Sequence, residues 1–148
     1  MGYNMQNLES KFRIKSENKV KALEAIKALM EPETLKTNGN GGSWSGGEKT
    51  EVWYSWVTTK DVLEAKTVED AIQCWGWESE TDEESGDIVD CYFPESKIGQ
   101  EEIMFRAIAP YVEEGSYFHM LGEDGAQWRW YFDGKDVEEQ TPAKISWK

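Results

Sequence analysis

The hydrophobic positions of this 148-residue chain change period several times, and each change marks an element. Lys11–Lys15 alternates and places Phe12 and Ile14 on one face, as in a half-buried strand. Ser16 follows as an N-cap with Glu17 in the first turn. Val20, Leu23, Ile26 and Met30, with Ala22, Ala25 and Leu29 beside them, then recur as a helical stripe until Pro32 ends it. Asn38–Gly47 holds five glycines in ten residues, which predicts a flexible insertion at about 37–48 without regular structure. Glu51–Val57 is dense in β-formers and predicts a strand. Thr67 and Asp70 have the spacing of a capping box, opening a short helix with Val68, Ala71, Ile72 and Trp75 on one side. Trp75–Glu78 and Asp87–Phe93 predict two strands around the acidic loop Ser79–Gly86. A third helix runs from about residue 100 to 113. Glu101 and Glu102 complement its N-terminal dipole, Met104, Phe105, Ile108 and Val112 form its apolar side, and Pro110 kinks or ends it.

The last third predicts a meander of Ser116–Leu121, Ala126–Phe132 and Lys135–Gln140, with a last short strand at Ala143–Trp147. Its turns are Gly122–Gly125 and a two-residue Asp133-Gly134. Trp128, Trp130 and Phe132 share one strand face, and Gln127, Arg129 and Tyr131 share the other. A first turn of two or four residues pairs odd positions with even ones, which sets His119 on the face of Trp128 and Trp130. Val68–Phe93 and Glu101–Phe132 both run helix, strand, acidic turn, strand, an echo of topology rather than of sequence. The expected fold is α+β: one antiparallel sheet with about three short helices on one face, forming a single domain over residues 1–148 around the glycine-rich insertion.

Composition changes this picture in one respect. Eight Trp, six Tyr and five Phe supply a core from a few large side chains, at roughly 150–250 Å² buried for each ring. Charge changes it in another. The net charge of -13 is uneven: six Lys/Arg face three Asp/Glu in residues 1–30, three face four in 31–60, and seven face 22 in 61–148. A surface this acidic repels nucleic acid and anionic lipid and attracts basic partners. The two cysteines, Cys74 and Cys91, and one histidine leave no set able to close a zinc site. The N-terminal residues lack the apolar run of a signal peptide, and nothing approaches a membrane span. The expected location is the cytoplasm of the producing or infected host cell, with no cofactor, no metal and no direct binding of nucleic acid or membrane.

Motif chemistry narrows the choice mainly by exclusion. The glycine-rich segment lacks the Gly-Lys-Ser/Thr of a phosphate loop, and there is no Gly-x-Ser-x-Gly. The loop Glu78–Asp90 fails the EF-hand spacing and reads as a solvated hairpin. His119 is the one side chain whose ordinary pKa lies near neutrality, but no carboxylate in the sequence is marked to orient it. Two sites remain as expectations. One is a partner-binding surface of Glu80, Asp82, Glu83, Glu84 and Asp87, with Glu113, Glu114, Glu123 and Asp124 as a second group. The other is a ligand pocket walled by His119, Trp128, Arg129 and Trp130 and closed by Trp44 on the glycine-rich loop.

Three segments, FRIKSENKVKALEAIKAL, DVLEAKTVEDAIQCWGWE and FRAIAPYVEEGSYFHMLGEDGAQWRWYFDG, resemble a family of small acidic proteins of bacteria and their phages. That resemblance covers most of the chain and carries no catalytic residues. By class, small acidic phage proteins block host nucleic-acid-binding machines, including restriction and CRISPR nucleases. The function expected is therefore that of a non-enzymatic acidic interaction protein, an anti-defence inhibitor that docks a basic host protein. The alternative is a small-molecule-binding domain with a Trp/Tyr-lined pocket.

Overall fold

The structure, a computed structural model, describes residues 4–31, 34, 41–45, 48–54, 57–94, 96–97 and 100–141, with the backbone alone for 41–45, 48–53 and 96–97. The strands are β1 (Asn4–Lys11), β2 (Gly41–Ser45), β3 (Glu48–Trp53), β4 (Glu78–Thr81), β5 (Ile88–Tyr92), β6 (Ser96–Lys97), β7 (Tyr117–Gly122), β8 (Gln127–Phe132) and β9 (Val137–Gln140). The helices are α1 (Lys19–Ala28), α2 (Thr59–Glu64), α3 (Val68–Cys74) and α4 (Glu101–Ile108), with 3-10 turns at Ser16–Asn18 and Ala109–Tyr111. The fold is α+β, and every strand pairing among the described residues is antiparallel. β6-β1-β7-β8-β9 form a five-stranded sheet, while β2-β3 and β4-β5 are separate hairpins.

Which side chains face inward depends on an irregularity in β1. Its pairing with β7 shifts between Asn7 and Glu9, so Leu8 is an extra residue and stands 51% exposed. Before this bulge Met5 points inward; after it Phe12 and Ile14 do, all three essentially buried. The alternation expected at Phe12 and Ile14 is present, but the regular strand lies earlier, because Lys11 is the last residue that pairs with β7. Beyond it the chain leaves β7 and bridges instead to β5, through reciprocal backbone bonds of Ile14 and Ile88 at 3.0 and 2.9 Å.

The inner face carries a cluster of rings. Trp77 is fully buried, with its ring centroid 4.6 Å from Phe118, 4.9 Å from Phe93 and 5.2 Å from Phe105. Phe105 of α4 also meets Trp130 and Phe132, which ties this helix to β8. Met104, Phe105, Ile108 and Val112 are buried as their spacing predicts, with a 3-10 turn at Pro110 in place of continued α-helix. On α3, Val68, Ala71, Ile72 and the following Trp75 are buried, and Thr67 Oγ1 accepts the Asp70 N–H at 3.1 Å, the N-cap bond of the predicted capping box. α1 packs on both α3 and α4. The order helix, strand, turn, strand is indeed repeated in α3–β4–β5 and α4–β7–β8.

Several expectations are corrected. Among the described residues a further helix, α2, adds to the three expected; its short sequence TKDVLE, where Val62 alone is buried, is too little to show a period. On α1 the buried residues are Ala22, Ile26 and then Met30, while Val20 is 66% exposed. Leu23 and Leu29 pack partly buried beside them, so Val20 leaves the predicted stripe while the rest keeps to it; the helix begins at Lys19, after a 3-10 turn. Ser16 does not cap it; its backbone N–H donates to Asp87 Oδ1 at 2.8 Å. The glycine-rich stretch is not free of regular structure: Gly41–Ser45 pairs with Glu48–Trp53. Glycine weakens a strand without forbidding it, and the backbone groups of the adjacent β-formers supply its ladder. That strand ends at Trp53, short of Val57. β4, Glu78–Thr81, begins where the strand expected at Trp75–Glu78 ends: Trp75 and Gly76 form a turn, and the pairing with β5 runs into the acidic loop. The strand expected at Ala143–Trp147 lies outside the described residues.

The ring cluster yields a stability test. Trp77→Ala removes the ring at its centre and should lower the unfolding free energy by about 3–5 kcal/mol, a large part of the roughly 5–15 kcal/mol of a typical domain. Val20→Ala, on the exposed side of α1, should change it by no more than about 0.5 kcal/mol. Urea unfolding reads both. A Trp77→Ala midpoint equal to the parent's would remove this residue from the core.

Candidate functional site

The turn between β7 and β8 sorts the site residues. Leu121 pairs with Gln127, and Gly122 N–H donates to Ala126 O at 2.8 Å, leaving a three-residue loop of Glu123, Asp124 and Gly125. Gly125 takes φ +87°, a left-handed conformation that glycine adopts without strain. An odd loop pairs odd positions with odd, so His119 stands opposite Arg129, and Met120 opposite Trp128. The expected placement of His119 on the face of Trp128 and Trp130 is thereby overturned. Those two rings point inward, while His119 and Arg129 point outward, so the sheet divides the predicted pocket into two sides. Trp44 lies on β2, and its side chain is outside the described residues. The second turn also differs: Asp133 N–H bonds to Asp136 O, so the two-residue loop is Gly134-Lys135 rather than Asp133-Gly134.

The outer face is ordered by contacts among its own side chains. Arg129 lies over two rings, 5.6 Å from the Tyr117 centroid and 5.7 Å from that of Tyr131, and its Nε and Nη2 donate to Gln140 Oε1 at 3.0 and 2.8 Å. Tyr117 Oη donates to Glu9 Oε1 at 2.7 Å, a bond that raises the phenol's pKa because it favours the protonated form. His119 Nε2 is 2.9 Å from Gln127 Oε1. Glu9, Tyr117, Tyr131 and Gln140 were not singled out from the sequence. The signal that finds them is strand parity, once the turn length is known.

The nine predicted partner-binding carboxylates do not form the two groups expected. Glu113 and Glu114 precede β7 whereas Glu123 and Asp124 follow it, and six residues of strand set the pairs roughly 20 Å apart. Glu113 and Glu114 join the acidic loop instead, and Arg13 makes the connection. Its guanidinium contacts Asp87 Oδ2 at 2.7 Å and Glu113 Oε2 at 3.7 Å, and Glu113 N–H donates to Arg13 O. Asp82, Glu83 and Glu84 sit exposed in the turn beside Asp87, with Glu80 exposed on the adjoining β4. Glu114 lies against Gly134, which brings in Asp133 and Asp136 at the next turn. One end of the sheet is therefore strongly acidic, with Arg13, Lys15 and Lys135 interspersed. Asp87 itself is drawn inward by Arg13 and Ser16 and is a structural anchor, not a free contact.

Two of these carboxylates are held below the usual range. Asp82 is lowered chiefly by the Ser85 hydroxyl and then by the Glu84 N–H, with Arg13 adding to the effect. Asp133 is lowered by the N–H groups of Asp136 and Lys135, at 2.8 and 2.9 Å. Tyr92 is raised by its hydrogen bond to Glu78. Both cysteines are free; burial pushes the Cys91 thiol far up, and burial with Asp61 and Asp70 raises Cys74.

The surface has a concavity of about 270 Å³ lined by Glu69, Asp70, Gln73, Glu78, Ser79 and Tyr92. A second, of about 200 Å³, lies between Lys15–Asn18 and Pro110–Glu113. Neither takes in His119 or Arg129. Glu69 in the first is tied to Lys19 Nζ at 2.6 Å and to the Thr81 hydroxyl at 2.8 Å; burial raises its carboxyl, and these bonds outweigh burial to leave it lowered. Among the described residues no three His, Cys, Asp or Glu side chains are arranged to hold a metal ion, and no helix is long and apolar enough to cross a membrane. No family model, curated protein or solved structure matches the chain.

The depressed Asp133 gives a pH dependence of definite sign. A carboxylate whose folded pKa is lowered adds stability that is complete above its unfolded value of about 3.9 and is lost as pH falls through the folded value. Asp133→Asn should melt below the parent at neutral pH, and the gap should close as pH drops below about 4. A gap that stays constant through acid would show that the negative charge is not what holds this turn.

Proposed function

We propose that this protein is a non-enzymatic interaction protein that docks a basic partner through the acidic end of its sheet. The observation that carries this reading is the convergence there of Asp82, Glu83, Glu84, Glu113 and Glu114 from two sequence segments, with Asp133 and Asp136 from a third. Charge so arranged steers association with a cationic surface and contributes more to on-rate and selectivity than to contact energy. Hydrogen bonds within the turns support the reading further, because they keep Asp82 and Asp133 ionised to lower pH and hold them in place. A host nucleic-acid-binding protein has the complementary chemistry. Its basic groove meets a row of carboxylates in place of phosphates, and this fits the anti-defence class suggested by the sequence resemblance. Nucleic acid itself is repelled by the same charge.

The test is affinity capture from a bacterial lysate at low and high salt. The parent chain should retain basic nucleic-acid-binding proteins at low salt and release them as salt screens the contact. A variant with Glu83, Glu84, Glu113 and Glu114 all changed to Lys should retain none of them. Glu123→Lys/Asp124→Lys, at the far end of β7, should retain them nearly as well as the parent. Equal capture by the parent and the four-lysine variant would overturn the proposal.

A further inference from the structure

The outer face of the five-stranded sheet is a different kind of surface from the acidic end. Across the strands, one row runs Lys11, Tyr117, Tyr131, Glu138, a cation at one edge, two rings in the middle and an anion at the other edge. Lys11 and Glu138 are exposed, and the two tyrosines are half-buried. The next row places Glu9 and Gln140 at the edges, with His119 and Arg129 between them.

This order is self-complementary. A two-fold axis parallel to the strands and midway between β7 and β8 would bring Lys11 of each copy opposite Glu138 of the other. Tyr117 would meet Tyr131, while Gln140, 9% exposed and already accepting from Arg129, makes no contact of its own across the axis. No carboxylate faces a carboxylate, and no Lys or Arg faces another. We propose that this face is an interaction surface whose occupant is a second copy of the same chain, docked face to face about that axis. Contact of this kind is isologous and closes at two. Little side-chain freedom remains to be lost there, because Arg129 already holds both rings and Gln140, and Glu9 already holds the Tyr117 hydroxyl. These two rows, with Gln6, Leu121 and Gln127 as a third across β1, β7 and β8, cover roughly 20 Å by 20 Å, about half the area per partner of a standard interface. The dimer is accordingly weak and concentration-dependent.

Salt separates this surface from the acidic end. Each copy carries a net charge of -13, so the copies repel at long range and screening should tighten the dimer. Docking of a basic protein must instead loosen with salt, so either proposal can fail without the other.

Sedimentation equilibrium on the full chain is the deciding measurement, with Lys11→Glu, Glu138→Lys and an equimolar mixture of the two. The parent should show a monomer–dimer equilibrium that shifts toward dimer as salt is raised. Each single variant places two like-charged pairs across the axis and should weaken association about tenfold. The mixture restores both pairs in the heterodimer and should regain the parent's association. A parent that stays monomeric at high salt and high concentration overturns the proposal. So do single variants that associate like the parent, or a mixture no better than its components. If there is no homodimer and a captured basic protein is lost on Lys11→Glu, the face belongs to that protein and the proposal also fails.

Discussion

One extra residue in β1 decides which way the rest of the sheet faces. Met5 and Phe12 are each 1% exposed, yet they stand seven positions apart, an odd separation that a strictly alternating strand cannot bury at both ends. The bulge at Leu8 absorbs the mismatch and leaves that leucine in solvent. With it, Met5 meets Gly122 at one end of β7 and Ser10 meets Phe118 at the other, all on the inner side. Without it, either Met5 or the Phe12–Ile14 pair would turn outward, and the contact between β1 and β5 would lose its side chains.

That contact holds the two sheets together. Ile14 bridges Ile88, Asn7 Oδ1 accepts the Phe93 N–H at 2.7 Å, and the Ser10 hydroxyl reaches Asp90 at 2.9 Å. Arg13 clips the same junction from outside through Asp87, although at 40% side-chain exposure the ion pair contributes modestly beside the rings beneath it. Those rings explain how so polar a chain builds a core. Trp77, Phe105, Phe118, Trp130 and Phe132 fill with few side chains the space that aliphatic residues would fill with many. The indole N–H groups of Trp75, Trp77 and Trp130 make no hydrogen bond among the described residues, a cost that the area of each ring offsets.

The same geometry keeps two surfaces apart. Turns gather carboxylates from three segments at one end of the sheet, where acidic groups outnumber the interspersed Arg13, Lys15 and Lys135 and the field is predominantly negative. The outer face balances its charges and relies on rings and short-range pairing. A long-range field suits capture of an oppositely charged partner, and a balanced mosaic suits a partner that must fit in register. Both proposals follow from where each kind of residue is placed, and neither needs a catalytic group.

Much of the local structure was legible in the sequence. The capped helix at Thr67, the apolar side of α4, the positions of β7, β8 and β9, and the aromatic core all follow from neighbours a few residues apart, whose spacing and capping chemistry act locally. The sequence by itself therefore determined the α+β antiparallel character and the supply of buried rings. It did not determine which face His119 occupies, that Val20 of α1 stands in solvent, or that Glu113 joins Asp82 rather than Glu123. An even turn would set His119 on the face of Trp128, and one residue in that loop reverses the face. Those outcomes depend on the parity of a turn, on one bulged residue, and on an arginine that reaches from position 13 to positions 87 and 113. Tertiary structure decided them because pairing between strands far apart in the chain fixes register, and a shift of one residue in register turns a strand over.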